Sequence, residues 1–281
     1  MPDLPGKVVL VTGATDGLGR GLAEELARDG ADVLVHGRDQ ARIDRTVDDI
    51  VAATGNKRPR GYRADLASLA EVRELAARVA DAEPRLDVLV NNAGIGSDVP
   101  GGGRRQESRD GIELRFAVNY LAGFLLSRLL LPLLRSSAPA RIVNVSSVGQ
   151  APIDFDDVML TRGYGGVRAY GQSKLAQILD TLTLAEQLDG DGVTVNALHP
   201  ATFMPTKIVR SPVSTIAEGV EATRRLVADP ALDGVSGRWF DGTREARADA
   251  QAYDPRARRR LAAVSAELTG LDGDGAAPAA R

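Results

Sequence analysis

Tyr170 and Lys174 stand four residues apart in Tyr170-Gly171-Gln172-Ser173-Lys174, a spacing that puts both side chains on one helical face. A tyrosine of ordinary pKa, about 10, is a poor acid–base catalyst at neutral pH. A unit positive charge at ~4 Å in an effective dielectric of ~20 is worth about 4 kcal/mol, roughly 3 pKa units in favour of tyrosinate. The spacing therefore predicts a Tyr170 brought near neutrality by Lys174. A tyrosine lying on a lysine stem is also a common packing arrangement, so the pair alone does not specify chemistry. Its neighbours in sequence do more. Asn144-Val145-Ser146-Ser147 ends an apolar run with hydroxyls that could hydrogen-bond a carbonyl oxygen as charge develops. Ser147 is the first choice and Ser146 the alternative, because strand ends read from sequence shift by a residue. Asn119 interrupts the apolar face of a long helical segment, where a buried amide needs partners.

A second constellation lies near the N-terminus. Thr12-Gly13-Ala14-Thr15-Asp16-Gly17-Leu18-Gly19 follows the apolar run Val8 to Val11 and leads into a helical pattern. Glycines placed there let the backbone approach a pyrophosphate, which then sits on the free N–H groups and positive dipole end of the helix. About 20 residues on, a dinucleotide site reads the ribose, with an acidic residue for NAD or an arginine for NADP. The sequence there is His36-Gly37-Arg38-Asp39. Gly37 offers no carboxylate, and the planar guanidinium of Arg38 can pair with a 2′-phosphate. NADP(H) is expected, with NAD(H) as the alternative. Asp39 reads more simply as the N-cap of the next helix, and Asp16, beside the same phosphates, weighs toward NAD.

Composition removes competing chemistries. The 281 residues contain no cysteine and two histidines, His36 and His199, so disulfides, thiolate catalysis and Cys/His metal clusters are excluded. His199 reads as a loop or cap residue. The charge is −3, from 35 basic and 38 acidic residues interspersed along the chain, and only 4% of residues are aromatic. That is neither the basic field nor the stacking surface that nucleic acids require. Lysine occurs only at Lys7, Lys57, Lys174 and Lys207; a coding bias toward arginine explains the scarcity. No signal peptide opens the sequence, and the apolar stretch Leu121 to Leu134 is broken by Arg128 and Pro132, short of the ~20 residues a membrane span needs. The expectation is a cytoplasmic protein without a membrane span.

These residues need a scaffold that brings them together. Short apolar runs at Val8, Asp32 to His36, Tyr62, Leu86 to Val90, Ile142 to Val145, Val193 to Leu198 and Gly237 to Phe240 alternate with helical patterns. The helices include Gly17 to Gly30, a long one from about Arg109 to Leu134, Val167 to Leu188, and one after Ser214 to Ala228. Such repeats are βαβ units, hence a Rossmann-type α/β fold: a doubly wound parallel sheet of about seven strands with helices on both faces. The expected organisation is one catalytic domain over residues 1–245, a C-terminal helical extension over 246–271 and a disordered tail over 272–281. Loops Gly96 to Ser108, Pro152 to Gly166 and Thr202 to Ser214 all follow strand C-termini, where ligands bind, and are candidate substrate loops.

Taken in order, the Gly-rich turn, Asp65, Asn91-Asn92-Ala93-Gly94, Asn119, Ser147 and Tyr170-x-x-x-Lys174 resemble the short-chain dehydrogenase/reductase family in its single-domain form, over about residues 5 to 240. The stretch Asp110-Gly111-Ile112-Glu113 through Phe116, Asn119 and Phe124, with the long insert between Ser147 and Tyr170, is most similar to the retinol-dehydrogenase-like and WW-domain-oxidoreductase-like branch. Members of that branch are often membrane-anchored and act on apolar carbonyls or alcohols; an anchor is not expected here, which weighs against a retinoid. The resemblance implies Tyr170 as proton donor to a carbonyl oxygen and Ser147 as the group polarising it. Lys174 would lower the Tyr170 pKa and bind ribose, and Asn119 would hold a water that links Lys174 to solvent. It further implies cofactor contacts from Gly13, Thr15, Asp16, Gly17, Leu18, Gly19, Arg38, Asp65, Leu66, Asn92, Ala93, Gly94, Pro200 and Thr202, a small apolar carbonyl or alcohol substrate, and a homodimer or homotetramer. Two positions depart from the family pattern: Pro200-Ala201 stands where Pro-Gly is usual, and Ala122-Gly123-Phe124 where Gly-His-Phe is usual. A dinucleotide-binding redox sensor without chemistry and a sugar-nucleotide epimerase or dehydratase are the competing readings.

Overall fold

A computed structural model describes residues 4–98, 103–205 and 213–271. The expected tail at 272–281, the glycines Gly101 and Gly102 and the middle of the 202–214 loop lie outside them. Eight strands form one sheet: β1 (Val8–Val11), β2 (Asp32–Gly37), β3 (Arg60–Arg63), β4 (Val88–Asn91), β5 (Ala140–Val145), β6 (Val193–His199), β7 (Arg238–Asp241) and β8 (Arg244–Ala246), in the order β3-β2-β1-β4-β5-β6-β7-β8. The first seven run parallel, as expected, and β8 is an added antiparallel edge strand paired with β7. Along β1 and β2 successive side chains enter opposite layers, as the period of two requires. Leu10 and Leu34 join a core beneath one face, while Val9, Val11, Val33 and Val35 join the core beneath the other.

The helices cover both faces. On one side α1 (Gly17–Arg28), α2 (Gln40–Thr54) and α7 (Ile216–Ala228) bury Leu22, Ile43 and Leu226. On the other, α3 (Leu69–Ala82), α4 (Ala122–Leu129), α5 (Leu131–Ser136), α6 (Gly166–Gln187) and α8 (Pro255–Thr269) bury Leu75, Leu125, Leu175 and Leu261. Side-chain caps fix several helix starts: Ser68 on α3, and a reciprocal Thr215–Glu218 capping box on α7.

The long helix differs from expectation. The long helix does not begin at Arg109: Glu107 and Glu113 form an antiparallel bridge around a turn with Gly111 at φ +76°, and helical backbone starts only at Leu114. It opens with a π-helical turn, Phe116–Leu121, and breaks at Leu130 before α5. The helical run 116–136 is also longer and more apolar than the sequence suggested, 21 residues containing a stretch of mean hydropathy 1.6, but 72% of that stretch is buried inside the fold. Residue 245 lies within β8, and Ala252, Ala257, Leu261 and Leu271 beyond it belong to the same core as α3 and α6.

Candidate active site

The sheet order reverses between β1 and β4, so the connections leaving their C-terminal ends diverge and open a crevice there. The Gly-rich turn forms one lip. Gly13 adopts φ +66°, and a Cβ there would stand 2.9 Å from the Ala93 backbone. A Cβ on Gly19 would lie 2.4 Å from both Asn92 Nδ2 and the Gly13 carbonyl, so only glycine lets α1 start this close to the β4 turn. Asn92 holds the two lips together by donating from Nδ2 to the Thr12 carbonyl, 2.7 Å. Thr12 Oγ1 donates to the Val90 carbonyl and accepts from the backbone N–H groups of Asn92 and Ala93.

Thr12 and His36 are further parts of this cradle, to which residue spacing alone assigns no role. His36 Nδ1 accepts from Gly13 N–H at 3.1 Å, leaving Nε2–H to donate to the Ala64 carbonyl at 3.2 Å. Burial pushes its pKa down to about 4, so the ring is neutral and serves as a fixed acceptor for the turn. A histidine inside an apolar strand was the available signal, since a buried imidazole must find partners.

Arg38 is exposed just beyond β2, where the sequence places the ribose reader. Asp39 caps α2 by accepting from Arg42 N–H, so its carboxylate is engaged in the fold. Asp16 caps α1, accepting from Gly17 N–H, and forms an ion pair with Arg42 at 3.0 Å. Arg42 also donates to the Thr15 carbonyl. Asp16 thus stands at the start of α1, with its charge countered by an arginine one helix away. The side chain of Leu18 is packed in the core, leaving only its backbone for a ligand. Asp65 accepts from Ala67 N–H after β3, and Leu66 lines a small cavity with Ala93 and Asn119.

The second part of the site follows β4, β5 and β6. Ser146 and Ser147 leave β5 in opposite directions. Ser146 Oγ donates to the Lys174 carbonyl inside the fold, whereas Ser147 Oγ accepts from Gly149 N–H and lies beside the Tyr170 side chain. A Cβ on Gly149 would stand 3.4 Å from Ser147 Oγ and 3.6 Å from Tyr170 Cε1, so hydroxyl and phenol border the same point. Of the two serines, Ser147 is the one that lies beside Tyr170, and Ser146 is turned into the fold.

Lys174 lies one turn beyond Tyr170 on α6, but its ammonium is not directed at the phenol. Nζ is 5.8 Å from the Tyr170 ring centroid and donates to the Val145 carbonyl at 2.8 Å and Gln177 Oε1 at 3.0 Å. Burial brings Lys174 down to about 7, and burial raises Tyr170 above its ordinary value against the lowering effect of the Ser147 hydroxyl beside it. The expectation of a Tyr170 near neutrality is corrected accordingly. Such a shift needs a full charge at ~4 Å, and the structure supplies a desolvated amine held by two neutral acceptors.

Asn119 sits in the π-helical turn, its side chain clamped by accepting from Ile95 N–H and donating to the Ile95 carbonyl and Ser173 Oγ. Across Gly94, a Cβ would be 3.4 Å from Asn119 Oδ1 and 3.6 Å from Lys174 Nζ. Asn119, Gly94 and Lys174 therefore share one wall. At the end of β6, Pro200 is buried, and His199 Nε2 is paired with Thr202 Oγ1 at 3.0 Å. Gly123, at the second departure from the family pattern, faces Asn91, whose Cγ would be 3.2 Å from an added Cβ.

Comparison with known proteins agrees with this arrangement. Residues 7–216 match the family model described as short chain dehydrogenase. The chain is 40% identical to retinol dehydrogenase 13 of Homo sapiens over 96% of its own length and 86% of the relative's. Among solved structures, an uncharacterized protein from Mycobacterium paratuberculosis superposes with a TM-score of 0.74 at 30% identity, covering 95% of this chain and 96% of that one. A short chain dehydrogenase from Escherichia coli CFT073 complexed with NADPH gives 0.69 at 29% identity, covering 86% and 98%.

Proposed function

The chain belongs to the short-chain dehydrogenase/reductase family, in its retinol-dehydrogenase-like branch, and from that premise we propose that it is an NADP(H)-dependent carbonyl reductase or alcohol dehydrogenase with Tyr170 as general acid–base. The observation that carries the proposal is the meeting of the Ser147 hydroxyl and the Tyr170 phenol at one point on the C-terminal edge of the sheet, with Lys174 a helical turn beyond.

The crevice suits a dinucleotide. Two lips approach so closely that a methyl on Gly13 or Gly19 would collide with the opposite side, and α1 presents its N-terminus there. Gly13, Thr15, Asp16, Gly17, Gly19 and the Leu18 backbone would face the phosphates, Asp65 and Leu66 the adenine, and Asn92, Ala93 and Gly94 the adenosine side. Pro200 and Thr202 would close over the nicotinamide. Arg38 supports the 2′-phosphate form, since neither nearby carboxylate stands unengaged: Asp39 caps a helix and Asp16 is paired with Arg42. The bound nicotinamide supplies or accepts the hydride at the substrate carbon.

The protein's own residues manage the oxygen and its proton. Ser147 donates to the substrate oxygen and holds it beside Tyr170, which gives its phenolic proton as the carbonyl is reduced. A raised Tyr170 pKa keeps the phenol protonated at neutral pH, the form that reduction needs. Lys174, near its titration point at neutral pH, binds the ribose and replaces the proton. Asn119 fixes the Ile95 backbone opposite, and we place at its helical turn the water that links Lys174 to solvent. Exposed Val148, Phe203 and Val213 after β5 and β6 support an apolar substrate. Burial of the 116–136 run within the fold supports a core helix over a membrane span. Oxidation of NADPH and NADH measured against a panel of aldehydes and ketones tests the reading. Turnover preferring NADPH is expected; tight nucleotide binding with no turnover of any carbonyl would overturn it in favour of a sensor.

A further inference from the structure

Beneath the substrate side of the site lies a buried ionic cluster that the mechanism above does not use. Arg115 and Glu113 are 0% and 1% exposed, a guanidinium and a carboxylate enclosed together in the fold. Arg115 Nε donates to the Gly96 carbonyl at 2.8 Å, one terminal nitrogen donates to the Ser97 carbonyl at 2.7 Å, and the other donates to Tyr164 Oη at 2.6 Å. Tyr164 passes the contact on by donating its own proton to Glu113 Oε1 at 2.9 Å. Glu113 Oε2 accepts from Phe116 N–H at the start of the helix that carries Asn119. The planar fork of arginine is what lets one side chain serve three acceptors in different directions.

The partners belong to three segments that each deliver a piece of the site. Gly96 and Ser97 continue the shelf of Gly94 and Ile95. Glu113 and Arg115 open the helix of Asn119. Tyr164 immediately precedes α6, which bears Tyr170 and Lys174. The first and third touch directly: a Cβ on Gly166 would fall 2.1 Å from the Ser97 carbonyl, so the two backbones already meet at a crossing that admits no side chain.

We propose that Arg115 is a positioning residue for reduction, fixing through Glu113 and Tyr164 the distance between the Gly94–Ser97 shelf and the start of α6, and hence between the hydride path and the Tyr170 proton. The proposal rests on the reductase reading for its kinetic consequence, but the clamp itself is a property of the fold. Misplacing reacting groups by about 1 Å costs on the order of 100-fold in rate. An uncompensated buried charge would confuse the result, so the informative variants neutralise both partners, Arg115→Gln with Glu113→Gln, or remove only the shared hydroxyl, Tyr164→Phe.

Each variant is compared with wild type by amide hydrogen exchange over residues 94–97 and 164–170, by NADPH affinity, and by kcat with NADPH deuterated at the transferred position. The expected result is exchange faster by about tenfold in both segments together. NADPH affinity should stay within about twofold, while kcat falls by about tenfold or more with a larger isotope effect. Exchange unchanged in either segment overturns the clamp, and so does nucleotide affinity lost in step with kcat, which would mark general loosening. If the double variant does not fold, Tyr164→Phe is judged by the same criteria. If wild type reduces no carbonyl, the reductase reading fails while the exchange measurement still decides the clamp.

Discussion

Lys174→Met should change how stability depends on pH. The amine is 5% exposed and bonded to two neutral oxygens, so its ionised form is penalised by burial and its pKa falls from 10.5 to about 7. Between those values the unfolded chain holds a proton that the folded chain has released, and stability therefore rises with pH across that window. Below about pH 7 both states are protonated and the penalty is present in full. At about 1.4 kcal/mol per pKa unit, the penalty is about 5 kcal/mol at pH 6 and about 2 kcal/mol at pH 9. Methionine fills a similar volume without the charge. It leaves the Val145 carbonyl and Gln177 Oε1 without this donor, at a cost of about 1–3 kcal/mol each that does not vary with pH. The difference in unfolding free energy between wild type and variant isolates the titration. Urea denaturation of both proteins at pH 6, 7.5 and 9 should show wild type gaining about 3 kcal/mol on Lys174→Met from the lowest to the highest pH. A difference constant across that range would mean that Lys174 is not desolvated as described, and would remove the basis for its titration near neutrality.

Other substitutions separate neighbouring roles. Ser147→Ala should lower kcat by about 100-fold through loss of the donor to the substrate oxygen. Ser146→Ala, which loses only the bond to the Lys174 carbonyl, should cost about 1 kcal/mol of stability with little change in kcat; a reversed order in steady-state kinetics would exchange the two assignments. Arg38→Ala should weaken NADPH binding by about 10- to 100-fold, the value of a charge-assisted contact to phosphate, while NADH binding changes little. Equal losses for both nucleotides in a fluorescence titration would refute the NADP assignment.

The alternation of apolar runs and amphipathic helices made the parallel sheet legible, because strands covered on both faces carry unbroken apolar sequence. The edge was less so: β8 has three residues, is largely exposed and carries no apolar run. The start of the long helix was misplaced because the residues at 107–113 fold back on themselves around Gly111, a tertiary bridge that periodicity does not report. The π-helical turn at Asn119 is equally invisible to a period of 3.6. Within the candidate site, residue types and order singled out Tyr170, Lys174 and Ser147, which the fold brings to one edge of the sheet, but spacing could not say where the lysine ammonium points. That direction is set by Val145 and Gln177, one on another strand and one a turn further along α6. His36 and Thr12 escaped notice for a related reason. Both sit in or beside apolar strands, where their role as acceptors and donors for the Gly-rich turn emerges only when β1, β2 and β4 are side by side.

The role of Tyr170 is tested most directly by removing one oxygen atom. Tyr170→Phe keeps the ring beside Ser147 and deletes the proton donor, and general acid catalysis of this kind contributes about 100- to 10,000-fold. NADPH affinity by titration should remain near wild type while NADPH oxidation with the best carbonyl substrate falls by that factor. Near-normal turnover by Tyr170→Phe would contradict the account.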